Sequence, residues 1–125
     1  MGSKILIIDD DQTMLELLQT LLDLEGFQVS TLEVNASLSE TVEEIKAIQP
    51  SLILCDVFLR DLNGLELLKM IRQQTDLDHV RILMSSGMDF SHQCFQEKAD
   101  GFIVKPYMPD DLIHKIQHIL SVIQN

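Results

Sequence analysis

The sequence predicts an α/β protein in which one five-stranded parallel sheet carries helices on both faces. Three observations predict it. Short apolar runs alternate with stretches of helical periodicity along the chain, the pattern of successive strand–helix units. The runs are almost continuously Ile, Leu and Val, as strands covered on both faces must be. No repeat, low-complexity tract or Pro/Gly/Ser linker interrupts the alternation, and 125 residues suit one domain.

Taken in order, Met1-Gly2-Ser3 has the look of a cloning remnant and is set aside, so the expected domain is 4–124. Ile5-Leu6-Ile7-Ile8 is a buried strand. Met14, Leu17, Leu18, Leu21 and Leu22 recur at helical spacing, and Gly26 stops that helix. Phe27 to Leu32 reads as a weaker edge strand, and 33–39 as a polar loop. Leu38, Val42, Ile45 and Ile48 form the next helical stripe, ended by Pro50. Leu52-Ile53-Leu54-Cys55 is a second buried strand, and Leu65, Leu68 and Ile71 mark a third helix. Ile82-Leu83-Met84 and Phe102-Ile103-Val104 are the last strands. Between them, Ser91 to Lys98 offers only Cys94 and Phe95 as large apolar residues, which predicts a short, poorly anchored helix. Pro109 suits a first helical position, with Asp110 and Asp111 where the helix dipole favours them. Leu112, Ile116, Ile119, Leu120 and Ile123 form the last apolar face.

The formal net charge of −11 excludes some partners. So acidic a chain repels phosphate backbones, which argues against direct nucleic-acid binding. No apolar run approaches the roughly 20 residues of a membrane helix, and no cleavable signal opens the chain. Cys55 and Cys94 lack a CxxC spacing or a neighbouring His; two reduced, partly buried thiols in a cytoplasmic protein is the expectation.

The residues just after the strands carry the chemistry. Asp9, Asp10 and Asp11 come after the first strand, Asp56 after Cys55, Ser85 and Ser86 after Met84, and Lys105-Pro106 after Val104. Right-handed crossovers bring these ends to one edge of the sheet, where open α/β sheets bind ligands. Asp9, Asp10 and Asp56 concentrate negative charge that Lys105 offsets only in part, so a cation is expected. Oxygen donors without His or Cys favour Mg²⁺ over zinc. A carboxylate beside Mg²⁺ and a lysine can attack a phosphoryl group, and a serine hydroxyl can bond a new phosphoryl oxygen.

With these motifs, Ile8-Asp9-Asp10, Cys55-Asp56 followed by Asn63-Gly64, Met84-Ser85-Ser86-Gly87 and Val104-Lys105-Pro106, the chain resembles the receiver domain of bacterial two-component response regulators. The resemblance implies a flavodoxin-like (βα)5 sandwich with strand order 2-1-3-4-5. It implies that Asp56 accepts phosphate from a sensor histidine kinase or a phosphotransfer protein. Asp10 and Asp56 would then hold Mg²⁺ directly, Asp9 through water, and the Phe58 carbonyl would complete the protein's share. Ser86, preferred to Ser85 because Gly87 follows it, would be the switch hydroxyl, Lys105 the phosphoryl partner and Phe102 the rotating aromatic. The Lys105–Pro106 peptide would be cis. Phe58 and Met88 would border the path of hydrolytic water. The sequence departs from the family at Leu59-Arg60, where Met-Pro is common, at 33–39, a short insertion, and between Ser86 and Lys105, which is roughly one helical turn short. The chain ends with the fifth helix, so a stand-alone receiver or one excised from a regulator or hybrid kinase is expected.

Two rivals compete. Asp9-Asp10-Asp11-Gln12-Thr13 also fits the DxDxT motif of haloacid-dehalogenase-like phosphatases, with Asp9 as nucleophile and Asp11 as general acid. That reading leaves Asp56 without a role and finds its second acidic pair, Asp110 and Asp111, opening a helix. A pseudo-receiver that binds partners without phosphorylation is the other, and the complete residue set argues against it. His114 and His118, spaced i, i+4, read as two exposed histidines for want of a third ligand.

Overall fold

The structure, a computed structural model, describes residues 2–32 and 37–122. The order of elements is β1 (Lys4–Ile8), α1 (Gln12–Leu24), β2 (Gln28–Leu32), α2 (Leu38–Ile48), β3 (Leu52–Asp56), α3 (Gly64–Arg72), a 3₁₀ turn (Thr75–Leu77), β4 (Arg81–Ser86), α4 (Ser91–Gln96), β5 (Gly101–Val104) and α5 (Pro109–Ser121). All strand pairs are parallel and the sheet order is β2-β1-β3-β4-β5.

Alternation along the strands divides the core in two. Leu6, Ile8, Ile53, Cys55 and Met84 face one side, where Val42, Ile45, Leu67, Leu68, Ile71 and Cys94 of α2, α3 and α4 cover them. Ile5, Ile7, Leu52, Leu54, Leu83 and Ile103 face the other, against Leu15, Leu18 and Leu22 of α1 and Leu112, Ile113, Ile116 and Ile119 of α5. The strand ends are thereby fixed within a three-layer sandwich, and the segments after β1, β3, β4 and β5 meet along one edge.

Local sequence sets the helix entries at that edge. Asp11 caps α1 by accepting the amide N–H groups of Thr13 and Met14 (3.0 and 3.3 Å). Asn63 does the same for Leu65 and Glu66 at α3 (2.8 and 3.3 Å). The following Gly64 is required by proximity: a Cβ there would lie 1.9 Å from the Asp56 carbonyl oxygen. Gly26, at φ +91°, closes α1 in the left-handed region. At the opposite end, Arg72 donates to Lys98 O, Val80 O and the Asp100 carboxylate (2.9, 2.9 and 2.8 Å), tying α3 to the segments flanking β4 and β5.

The structure corrects several expectations. Leu15, not Leu17, completes the buried face of α1, and Leu17 is 62% exposed. In α5, Ile113 is buried and Leu120 only partly so, while Ile123 lies outside the described residues. Ser37 caps α2 and Leu38 begins it, so the polar loop extends no further than Ser37; residues 33–36 lie outside the described residues. Gly2 and Ser3, which read as part of a remnant, pack against the start of β2, where Ser3 O accepts Gln28 N–H at 2.9 Å. The 3₁₀ turn has no counterpart among the expected elements. The short α4 does, and it spans six residues anchored through Cys94, with Phe95 exposed.

Candidate functional site

Asp56, the last residue of β3, is buried (8% exposed) and faces the edge where the acidic loop after β1 and the lysine after β5 arrive. Lys105 Nζ sits 2.8 Å from its carboxylate and 3.5 Å from Asp9 Oδ2. Asp9 is buried too, and its Oδ1 accepts the Asp11 amide N–H at 2.9 Å. One carboxylate oxygen each from Asp9, Asp10 and Asp56 lies within 4.8 Å of the others.

The electrostatics follow from that crowding. Burial raises the Asp9 pKa above the usual carboxylate range; the Asp11 N–H opposes this, the charge of Asp56 adds to it and Lys105 relieves it. Burial alone would lower Lys105, but the hydrogen bond and charge of Asp56, with the charge of Asp9, outweigh it and hold the ammonium protonated above the ordinary lysine range. Burial pushes the nearby Tyr107 phenol up to about 12. The site is thus a carboxylate cluster with one built-in cation, and a divalent ion suits its charge.

The donor set passes a test of fit for Mg²⁺. It is all carboxylate oxygen, with no His or Cys, which is the chemistry a hard, compact cation takes. Phe58 pairs with Asn63 in an isolated antiparallel bridge. The hydrogen bonds around it run from Gly64 N–H to Val57 O and from Leu59 N–H to Leu62 O (2.7 and 3.2 Å), so they do not consume the Phe58 carbonyl.

The two serines divide unexpectedly. Ser85, given no role from sequence, pairs with Asp56 across β3 and β4, and its hydroxyl donates to Asp56 Oδ1 at 2.5 Å. Ser86 Oγ accepts the Met88 amide N–H at 3.2 Å. A Cβ at Gly87 would meet nothing within 4 Å, so crowding in this arrangement gives no reason for a small residue there. Phe102 is buried in the core on the α4 side, and its carbonyl accepts Lys115 Nζ at 3.1 Å. Phe58 and Phe90 stack edge to face with centroids 5.2 Å apart, joining the loops after β3 and β4. The Lys105–Pro106 peptide is cis.

The phosphatase arrangement is not assembled. Asp11 is exposed and occupied as a cap, and Asp110 and Asp111 stand exposed in the first turn of α5. His114 and His118 are exposed as well. Cys55 and Cys94 are both buried free thiols.

Comparison with known proteins bears on this geometry. The response regulator receiver domain family matches residues 5–117. The chain is 39% identical over 123 residues to the transcriptional regulatory protein CpxR homolog of Haemophilus influenzae, covering 94% of this chain and 50% of that one. It is 31% identical to the alkaline phosphatase synthesis transcriptional regulatory protein PhoP of Bacillus subtilis, covering 96% and 49%. The chain therefore spans about half the length of these curated relatives. Among solved structures, a putative response regulator from Chloroflexus aurantiacus superposes with a TM-score of 0.85 at 30% identity, covering 98% of this chain and 100% of that one. The chemotaxis protein CheY4 of Vibrio cholerae shares the fold at a TM-score of 0.84 and 23% identity, covering 95% and 99%.

Proposed function

The chain belongs to the response regulator receiver domain family, and from that premise we propose that Asp56 accepts a phosphoryl group from a phosphohistidine donor in a Mg²⁺-dependent signalling switch. The observation that carries this reading is the buried Asp56 carboxylate held 2.8 Å from Lys105 within reach of Asp9 and Asp10.

In the proposed reaction an Asp56 oxygen forms the new O–P bond as the donor's P–N bond breaks. The imidazole nitrogen leaves with the electron pair. Asp10, Asp56 and the Phe58 carbonyl would hold Mg²⁺, with Asp9 acting through water; the ion supplies charge neutralisation for the phosphoryl oxygens. Lys105, already on the carboxylate, moves with little cost onto a phosphoryl oxygen. The Ser86 hydroxyl, exchanging Met88 N–H for that phosphoryl group, would draw the loop after β4 inward, and Phe102 would follow into the space vacated. This couples chemistry at Asp56 to the β4–α4–β5 surface, where an output domain or partner reads the state. Among the described residues no helix is long and apolar enough to cross a membrane, and a cytoplasmic location suits a receiver.

The direct test is incubation with acetyl phosphate or phosphoramidate plus Mg²⁺ and mapping of the modified residue. Asp56 should gain one phosphoryl group, and Asp56→Ala should gain none. Phosphate mapped to Asp9 in Asp56→Ala would overturn the reading in favour of the phosphatase chemistry.

A macromolecular donor is supported by the surface beside Lys105. Met14, Leu17, Leu18 and Leu21 of α1 and Pro106, Tyr107 and Pro109 line an open apolar groove of about 450 Å³ that starts at Lys105. A phosphohistidine presented to Asp56 by an apolar protein surface would cover this groove. Leu17→Asp should therefore slow transfer from a phosphohistidine protein about ten-fold, as loss of an interface anchor does. It should leave acetyl phosphate kinetics unchanged; equal slowing with both donors would refute a docking role.

A further inference from the structure

We propose that Ser85 is a positioning residue for phosphoryl transfer: its hydroxyl fixes the Asp56 carboxylate so that one oxygen is held and the other faces the phosphorus. The inference rests on the reading of Asp56 as acceptor and adds to it a residue which that reading does not use.

The case begins in the sheet register. Asp56 and Ser85 are direct partners in β3 and β4, so their side chains leave the same face of the sheet one strand apart. Ser85 is 1% exposed and its Oγ lies 2.5 Å from Asp56 Oδ1. An ionised carboxylate only accepts, so the serine proton must point at it. The main chain adds a second tie, since Ser85 O accepts the amide N–H of Val57, the residue after the acceptor, at 2.9 Å. Ser85 thus grips the acceptor strand through side chain and backbone together.

The Cβ–Cγ torsion of an aspartate is intrinsically broad. At Asp56 the hydroxyl on Oδ1 from one side and the ammonium of Lys105 from the other remove that freedom. When the free oxygen bonds phosphorus and the donor's P–N bond breaks, the oxygen held by Ser85 becomes the acyl carbonyl oxygen, which still accepts the same proton. The hydrogen bond is therefore kept from reactant to product and costs no rearrangement. A carboxylate already turned to the attacking geometry saves orientational freedom in the transition state. Ser86 does not share this task, because its Oγ is bonded to Met88 N–H. Two adjacent hydroxyls thus serve separate ends, Ser85 on the acceptor and Ser86 on the mobile side of the loop.

The test compares the full chain with Ser85→Ala, Ser85→Thr and Ser85→Val at saturating Mg²⁺ over a series of acetyl phosphate concentrations. Thr and Val are isosteric, so the pair isolates the hydroxyl from any packing effect. Ala and Val should lower the maximal phosphorylation rate constant about ten-fold, the worth of one hydrogen bond to a charged group, with the half-saturating donor concentration unchanged. Thr should restore it. Beryllofluoride bound to Asp56, followed by ¹⁹F NMR, gives a readout without turnover. A sharp set of resonances in the parent and in Thr should broaden or split in Val and Ala as the carboxylate samples more than one orientation. Rates for Val within about two-fold of those for Thr, with equally sharp resonances, would overturn the role of Ser85. A loss of rate in Thr equal to that in Val, in proteins of native circular dichroism, would overturn it too. A parent that takes no phosphate on Asp56 would instead overturn the acceptor reading itself, and the role of Ser85 with it.

Discussion

Asp10→Ala is expected to weaken Mg²⁺ binding by about 100-fold, since loss of outer-sphere partners alone costs 10–100-fold and Asp10 would be a direct ligand. The three carboxylates are not equivalent. Asp9 is committed, with one oxygen on the Asp11 N–H and the other toward Lys105. Asp56 is shared between Lys105 and Ser85. Among the described residues none donates a hydrogen bond to Asp10, and its side chain is half-buried at the mouth of the cluster, with its lone pairs available to a cation. Asp9→Asn should weaken the ion less, because it removes charge without removing a direct ligand. Calorimetric titration measures both. A thermal readout is independent of it: at a Mg²⁺ concentration of 100 times the dissociation constant, the parent should gain about 2.7 kcal/mol of stability by linkage. Asp10→Ala should gain almost none of this at the same concentration. Equal affinity in parent and Asp10→Ala would remove Asp10 from the metal shell and the strongest electrostatic support for the site.

Much of this site was legible because strands buried on both faces are hard to misplace. Once Ile5–Ile8 and Leu52–Cys55 are read as strands, Asp9, Asp10 and Asp56 must emerge at their carboxyl ends, and the structure brings them together. Helix faces were less legible where leucine is everywhere. In α1, Leu15, Leu17, Leu18, Leu21, Leu22 and Leu24 offer two overlapping stripes, and the choice of Leu15 over Leu17 is made by packing against β1 and α5, a tertiary decision. Ser85 escaped notice for a related reason. Ser86 suited the local pattern, but which hydroxyl meets Asp56 in this arrangement depends on the register between β3 and β4, which local pattern does not encode. A usable signal was parity. Asp56 stands two residues after Leu54 and Ser85 two after Leu83, and Leu54 and Leu83 share the face that packs on α1 and α5. Counting by twos from the buried leucines points to Ser85 as the partner. The 3₁₀ turn at Thr75–Leu77 carries no chemistry and had no pattern of its own to announce it.

The phosphorylated state should be long-lived, and replacing Phe58 with Asn together with Met88 with Glu should shorten its lifetime at least ten-fold, roughly the lower range of what a positioned polar group contributes to a reacting water. Loss of phosphate from an acyl phosphate needs water aligned for attack on phosphorus, opposite the Asp56 oxygen. Polar side chains at the rim can orient that water, as a glutamine does in some GTPases. Here the rim carries Phe58 and Met88, exposed at 59% and 65%, and neither side chain can accept a proton from water. The Phe58 ring is also braced edge to face by Phe90, so it resists displacement from the loop after β3. Phe90→Ala alone should loosen this brace and shorten the lifetime by a smaller factor than the double substitution. The experiment follows loss of phosphoryl-Asp56 with time after removal of the phosphodonor, in excess Mg²⁺, for the parent and each variant. An unchanged rate in the double substitution would assign Phe58 and Met88 no kinetic part. A parent that already loses its phosphate within seconds would refute the shielding role from the other side, because the apolar rim would then be failing to keep water from the phosphorus.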